Sequence, residues 1–363
     1  MKYILKCLIG LLLATCTLLA VGCSDKETYD DTLPDCFTMD GISYKRTSVS
    51  TVMVVKNDNY SGDIVIPDSV TYGRWTYKVT EMETGCFANN SHIHAVTIPN
   101  SITTIPDFAF EGSSVAIVNM HNRVTSIGKY CFAYCDNIES LCLPESISSI
   151  SVGQYFYSGL NQIIIPEQFT TINDSAFLGC GLATDIRIPQ TVTYIGENAF
   201  ARCGNIDTYV MDNPALVIKG QAFFYTHIRK LTLKEYNFVV SPNPYDYYSQ
   251  SAFHVDYIDT ISFQLHGRNL SAAHQNTSGS DDWLIWPTMF TYNNQYNKKC
   301  VFVSHYADPP TFFNSSVSYR LTGHCKKLVV PTGSREAYSN NGYYYNWHNF
   351  STIEEDENII PIL

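Results

Sequence analysis

One ordered phrase recurs between residues 64 and 234, and it constrains the fold more than any other feature of the chain. It reads apolar, any residue, apolar, Pro, any residue, Ser or Thr, apolar, Thr or Ser, any residue, Ile, a few polar residues, then Ala-Phe. Clear copies are TIPNSITTIPDFAF, CLPESISSISVGQYF, IIPEQFTTINDSAF and RIPQTVTYIGENAF. Phenylalanine marks the period at Phe87, Phe110, Phe132, Phe156, Phe177, Phe200 and Phe223, in steps of 23, 22, 24, 21, 23 and 23. A unit this small cannot bury its own apolar face, so units must pile in register and share one core.

Each unit opens with apolar residues at alternate positions, which places both on one side of a short strand. The pairs are Ile64 and Ile66, Val96 and Ile98, Val118 and Met120, Leu141 and Leu143, Ile163 and Ile165, Ile186 and Ile188, Tyr209 and Met211, and Leu231 and Leu233. Proline at 67, 99, 144, 166 and 189 ends the strand without breaking its ladder. Three residues past each Phe stands a small or polar residue: Asn90, Ser113, Cys135, Gly159, Cys180, Cys203 and Thr226. Such a column suits the tight turn back to the next strand, and its cysteines read as core residues. Zinc-type Cys-x-x-Cys spacing is absent. A period of about 20–29 residues with short strand signals is that of a leucine-rich repeat. The expected fold is a leucine-rich-repeat solenoid, with a parallel β-sheet on one face, short turns and short helical segments on the other, and capped ends.

The ends depart from the middle, as a stack with two exposed faces requires. Residues 41–63 alternate polar and apolar around Asn57-Asp58-Asn59, which predicts an N-terminal β-hairpin cap. Tyr72-Gly73-Arg74-Trp75 reads as a hairpin loop inside the first, enlarged unit. The repeats run through 64–240. Residues 241–325 form an irregular, aromatic-rich extension with a strand signal at 301–305. Residues 326–363 supply a last strand at 326–330, a short helix, and Trp347, Phe350 and Ile353 to close the core. The run Glu354, Glu355, Asp356 and Glu357 reads as a solvated tail.

The first residues carry Lys2 and Lys6, an apolar run, then Gly22-Cys23, which predicts a cleavable export signal over 1–22. The run is shorter than the roughly 20 residues that a bilayer core needs. Leu19 to Cys23 resembles the bacterial lipobox, which implies lipidation of Cys23 and a flexible lipid tether over 23–40. Ser24-Asp25-Lys26-Glu27 resembles the tag that follows the lipidated cysteine in surface-exposed lipoproteins of Bacteroidota. The expected location is therefore the outer membrane, lipid-anchored and exposed at the cell surface. Loss of residues 1–22 takes the formal charge from -11 to -13. That balance argues against nucleic acid and anionic lipid faces as partners. Of twelve cysteines, nine remain after the signal and Cys23 are set aside, an odd number that fits no complete disulfide framework.

Taken together, these phrases resemble the BspA-type leucine-rich-repeat surface proteins, over roughly residues 41–234 and 326–355. The closing phrase Pro-x-Gly-Ser-x-x-Ala-Tyr stands at Pro331 to Tyr338. The resemblance implies a solenoid on the cell exterior that adheres to host or matrix molecules, with no particular ligand.

No His-Glu-x-x-His, Gly-x-Ser-x-Gly, phosphate-binding or dinucleotide-binding motif is present, so the reading is non-catalytic, without cofactor or metal. His92 and His94 lack a third ligand, and they read as a surface pair. Sequence spacing does not exclude a glycosidase pair assembled from distant carboxylates. Binding is then sought on exposed surface. The candidate binding face is the outward side of the sheet at Thr97, Asn119, Ile164, Arg187, Val210 and Thr232, which suits an extracellular or host protein. The alternative is a glycan-capturing accessory lipoprotein of a nutrient-uptake system, using an aromatic patch at Tyr247, Tyr248, Trp283 and Trp286. Asp31-Thr32-Leu33 resembles a Bacteroidota O-glycosylation site, with Thr32 as acceptor.

Overall fold

The computed structural model describes residues 33–181, 188–211, 213, 216–233, 239–241, 257–263, 300–304, 325–340 and 352–359. Cys23, Thr32, Arg187, Tyr247, Tyr248, Trp283 and Trp286 lie outside these residues, as does all of the expected signal segment. Among the described residues the chain is a parallel-strand β-solenoid of about eight turns with almost no helix.

The N-terminal closure is a five-stranded sheet. It takes β1 (Cys36–Met39), β2 (Ile42–Arg46), β3 (Thr51–Val54), β5 (Ser69–Tyr72) and β6 (Trp75–Met82), in the order β1-β2-β3-β6-β5. Burial alternates along β2 and β3, as a half-covered sheet requires. Phe37 stacks on Tyr72 at 4.5 Å and lies within 5.9 Å of the Tyr77 ring, which fills the cap. Two expectations change here. Strand β1 falls inside the stretch assigned to the tether, because Phe37 and Tyr44 have a ring cluster to join. Asn57-Asp58-Asn59 does turn, but it leads from β3 to β4 (Gly62–Val65) in a different sheet. The antiparallel hairpins close instead at Asp40-Gly41, at residues 47–50, and at Gly73-Arg74, where Gly73 supplies a left-handed φ of +64°.

Each coil then contributes three sides. The first side carries the opening strands, which stack in parallel register. The first ladder joins β4 to β7 (Ile93–Thr97) and β9 (Ile117–Asn119). A second pairs β11 (Ser140–Leu141) with β13 (Gln162–Ile163). The third runs β16 (Asn205–Met211), β18 (His227–Leu233), β20 (Tyr257–Phe263), β21 (Cys300–Ser304), β22 (Cys325–Pro331) and β23 (Thr352–Asp356). The inward residues are buried as the alternation demands: Val96, Ile98, Val118, Leu141, Leu143, Ile165, Tyr209 and Leu231.

A second, narrower ladder was not anticipated from sequence. It comprises β8 (Thr104–Ile105) with β10 (Ser126–Ile127), then β12 (Ser149–Ile150), β14 (Thr171–Ile172), β15 (Tyr194–Ile195), β17 (Val217–Lys219) and β19 (Val239–Ser241). Its inward column is Ile150, Ile172, Ile195 and Ile218, all fully buried, and β19 pairs in register with β17 at the end of the ladder. Most of these strands have two residues, too few for any hydrophobic period to register.

The third side is built of the expected short turns, and among the described residues the short helical segments also expected there are not formed. Amides at the ring position and two residues to either side donate to the next coil. Phe132 donates to Gln154, Tyr130 to Val152 and Tyr134 to Phe156, at 2.8–3.0 Å. A helix would spend those amides along its own axis. Aiming them across coils requires left-handed residues, and each coil carries two of them, at -2 and +2 from the core ring. In successive coils the -2 residues are Gly85, Phe108, Tyr130, Gly153, Ser175, Asn198 and Gln221. The +2 residues are Asn89, Gly112, Tyr134, Tyr157, Gly179, Arg202 and Tyr225.

The spine is a column of buried rings: Tyr60, Phe87, Phe110, Phe132, Tyr155, Phe177, Phe200 and Phe223. Neighbouring centroids lie 5.2–5.7 Å apart, and from Phe87 onward the planes are within 12° of parallel. Tyr155 occupies the position that the sequence reading gave to Phe156. With Tyr155 in place the steps from Phe87 become 23, 22, 23, 22, 23 and 23. The small-residue column shifts with it, so Ser158, and not Gly159, joins Asn90, Ser113, Cys135, Cys180, Cys203 and Thr226.

At the far end, the segment after Pro331 forms α1 (Arg335–Asn340), whose Tyr338 is fully buried with its hydroxyl 2.6 Å from Ser304 Oγ. Strand β22 is not the last. The acidic run is largely in β23, parallel to β22, because it has work to do there. Glu355 Oε1 accepts from Gly333 N and Arg335 N at 3.0 Å each, and Glu354 pairs with Lys327. Ile353 packs against the core from this strand.

Candidate binding surfaces

On the outward side of the first ladder, Val65, Thr97 and Asn119 stand in register, as do Asp63, Ala95 and Ile117. Asn119 Nδ2 donates to Thr97 Oγ1 at 3.2 Å. Ile164 follows β13 and is 78% exposed, Val65 is 66% exposed and Ile117 is 46% exposed. Asn119 is exposed, whereas Thr97 and Val210 are half-buried. Val65 was not named from the sequence, though it sits between Ile64 and Ile66, where the alternation rule places an outward residue. His94 Nδ1 lies 3.0 Å from Asp63 Oδ1 across a bulge at Gly62/Asp63, in a well-exposed pair. Exposed pairs of this kind add little stability.

Thr232 does not belong to this surface. It is 4% exposed, and its in-register neighbour Ser262 is 2% exposed. Lys230, on the same side of β18, is exposed. The outward side therefore closes over toward the C-terminal end of that strand.

The turn side carries a second exposed surface, which the sequence reading did not find. Phe108 and Tyr130 stack at 5.6 Å and 3°, and Tyr134 and Tyr157 stack at 6.1 Å and 9°. Phe156, displaced from the spine, meets Tyr130, Tyr134 and Tyr157 edge-on at 4.9–5.9 Å. Tyr134 is 51% and Tyr157 39% exposed. A Cβ on Gly153 would overlap the Tyr130 ring, and one on Gly179 would overlap Tyr157, so these rings rest on bare backbone of the next coil. The signal that could have revealed them is the pair of columns at -2 and +2, visible only once Tyr155 sets the frame.

The thiol column is structural. Cys135, Cys180 and Cys203 donate to the carbonyls of Phe110, Tyr155 and Phe177 at 2.8–2.9 Å, and Thr226 does the same to Phe200 at 2.6 Å. Burial pushes the Cys135 and Cys180 thiols up to about 12, while hydrogen bonds from Ser113 and Ser158 draw them down in part. Thiolate is the reactive form. On brief alkylation at neutral pH, peptide mapping is therefore expected to find label on the exposed Cys36 and Cys142. Cys86, Cys131, Cys135, Cys180 and Cys203 should react only after denaturation. Label on the five in the folded protein would contradict the packing.

Among the described residues, no group of three or more His, Cys, Asp or Glu is placed to hold a metal ion, and no helix is long and apolar enough to cross a membrane. Coils of 22 or 23 residues, each adding a strand to a parallel ladder and a ring to a common spine, define a leucine-rich-repeat β-solenoid. A family model described as BspA type leucine rich repeat region, in six copies, matches residues 66–183, 126–252 and 180–272. The chain belongs to the BspA-type leucine-rich-repeat family. No curated protein sequence is matched. Among solved structures, it is similar to a leucine rich cell surface protein from Faecalibacterium prausnitzii A2-165, at 16% identity and TM-score 0.39, over 91% of this chain and 98% of that one. It is also similar to a leucine-rich repeat protein from Bacteroides ovatus, at 16% identity and TM-score 0.38, over 91% and 100%. A leucine rich repeat protein from T. pallidum is 15% identical at TM-score 0.40, over 67% and 97%.

Proposed function

We propose that the chain is a lipid-anchored, non-catalytic protein of the outer membrane surface that binds an extracellular protein through the outward side of its sheet. The observation that carries the reading is the exposure of three aliphatic side chains there, Val65, Ile117 and Ile164. Large apolar groups left in water on a flat, polar-rimmed face are a mark of protein interaction sites. The neighbouring Thr97 and Asn119 supply hydrogen-bonding groups without strong charge, which suits a peptide or protein backbone. The anchor rests on the lipobox-like run ending at Cys23, and its test is incorporation of labelled palmitate that is lost in Cys23→Ser.

The binding reading is tested with the mature chain on immobilised matrix proteins. Saturable binding is expected, and Ile164→Asp should weaken it at least tenfold, about 1.4 kcal/mol, with the melting temperature unchanged because Ile164 is largely in water. No binding across a broad panel, or binding indifferent to Ile164→Asp, would sink the reading.

A further inference from the structure

The backbone is fixed to the N-terminal sheet from Leu33 onward. Arg46, itself buried, donates from its backbone N to Asp35 O at 2.8 Å and from Nη1 to Leu33 O at 3.4 Å. Cys23 lies ten residues upstream of Leu33, and ten residues span at most about 35 Å. A lipid on Cys23 therefore keeps this sheet within that distance of the bilayer.

Strand directions decide which end of the sheet the tether leaves from. Strands β1, β3 and β6 begin, and β2 and β5 end, at one and the same end. That end collects Leu33, the loop 47–50 and the turn from Tyr72 to Trp75. Phe37 stacks on Tyr72 at 4.5 Å, and Tyr72 pairs in register with Trp75, so the tether leaves the folded chain beside this turn. Trp75 is the only tryptophan among the described residues; it is 38% exposed, and the Arg74 guanidinium lies over its ring at 5.1 Å. We propose that the Arg74-Trp75 turn docks in the headgroup layer of the bilayer that holds the lipid, an inference that rests on the lipid-anchor reading of Cys23.

The chemistry of the pair suits that layer. An indole joins a large apolar ring to an N–H donor, the combination that collects at membrane–water interfaces. Arginine lays its stem on apolar surface while its head stays among polar groups, and its planar fork matches phosphate oxygens. The adjoining loop Thr47-Ser48-Val49-Ser50 adds hydroxyls and no charge.

Charge separates the two ends of the sheet. Beside the turn stand Arg74 and Lys78 against Asp35, all exposed. Toward the other end stand Asp40, Asp58, Asp68, Glu81 and Glu83 against Lys45 and Lys56. The chain as a whole is acidic and is repelled by lipid phosphate; the end from which the tether leaves is the one that is not. Tethering also makes docking an intramolecular event at a high effective concentration. A contact too weak to hold a free protein is then sufficient.

The test holds the full mature chain on vesicles through an N-terminal hexahistidine tag in place of Cys23 and a nickel-chelating lipid, so that docking is read independently of acylation. Vesicles of phosphatidylethanolamine and phosphatidylglycerol are made plain, with acyl chains brominated near the headgroup, and with acyl chains brominated near their ends. Relative to plain vesicles, shallow bromines are expected to remove up to about a quarter of the tryptophan emission, the share of one tryptophan in four, and deep bromines much less, as for a ring at the interface. Trp75→Ser should abolish the loss and Arg74→Glu should reduce it, with melting temperatures unchanged because both side chains are exposed. Palmitate labelling of Cys23 and quenching of Trp75 are separate readouts, so either can fail alone. No loss with shallow bromines, a greater loss with deep ones, a loss undiminished in Trp75→Ser, or matrix-protein binding abolished by Trp75→Ser would overturn the proposal.

Discussion

Tyr155→Ala is expected to destabilise the folded chain by about 3–5 kcal/mol, the range for emptying a large buried aromatic site. The neighbouring Phe156→Ala should cost about 1 kcal/mol, the order of a few lost edge-on aromatic contacts. Tyr155 is fully buried between Phe132 and Phe177 at 5.7 Å and 5.3 Å, so its loss leaves a void in two interfaces at once. Phe156 is half-buried on the turn side. Tyr155→Phe isolates the hydroxyl, which accepts from Gln154 Nε2 at 2.8 Å, and should cost no more than about 1.5 kcal/mol. Urea midpoints for the three variants decide the matter. A costlier Phe156→Ala than Tyr155→Ala would mean that the spine runs through the wrong residue.

That pair also shows where sequence reasoning stopped. The repeat, the parallel strands, their inward pairs and the closing helix follow from periodicity and turn chemistry, because apolar spacing reports which side of an element faces the core. Periodicity did not distinguish Tyr155 from Phe156, since both are aromatic and a slip of one residue alters the spacing little. The correct frame required the packing itself. Once it slipped, Gly159 stood in for Ser158, and the left-handed columns went unseen. The same limit explains the acidic strand at the C-terminus. Glu354 and Glu355 carry no apolar signal, yet they join the ladder because Lys327, Gly333 N and Arg335 N are placed to receive them. The exposed sheet surface was partly legible, as the outward positions of Ile164 and Asn119 follow from alternation. Thr232 failed because alternation tells which side of a strand a residue takes, not whether that side stays in water.

Raising the pH from 8 to 11 is expected to unfold the protein cooperatively. In an unfolded chain thiols ionise near their ordinary value of 9.0, whereas burial holds Cys135 and Cys180 up at about 12 and raises Cys86, Cys131 and Cys203 well above the usual range. Between those limits the unfolded state has released protons that the folded state still binds. Stability is therefore complete below pH 9 and falls as pH rises, by up to about 1.4 kcal/mol per pH unit for each thiol. Five buried thiols acting together exhaust a typical stability of about 5–15 kcal/mol within a few units. Buried Tyr44, Tyr60 and Tyr155, likewise raised by desolvation, steepen the fall above pH 10. Circular dichroism melts across the range test this. Replacing Cys135 and Cys180 by Ser removes two of the ionisations while keeping a hydroxyl donor, and must flatten the decline. An identical slope in that variant would exonerate the thiols.

The coil-to-coil ladder has one more consequence. Because a coil touches only the coils above and below it, deleting or duplicating a stretch of 22 or 23 residues rejoins every amide to an equivalent carbonyl. The closing structures at both ends are untouched by such an edit. The height of this molecule is thus an inheritable variable, set by recombination between like phrases, and with it the extent of sheet left open to solvent.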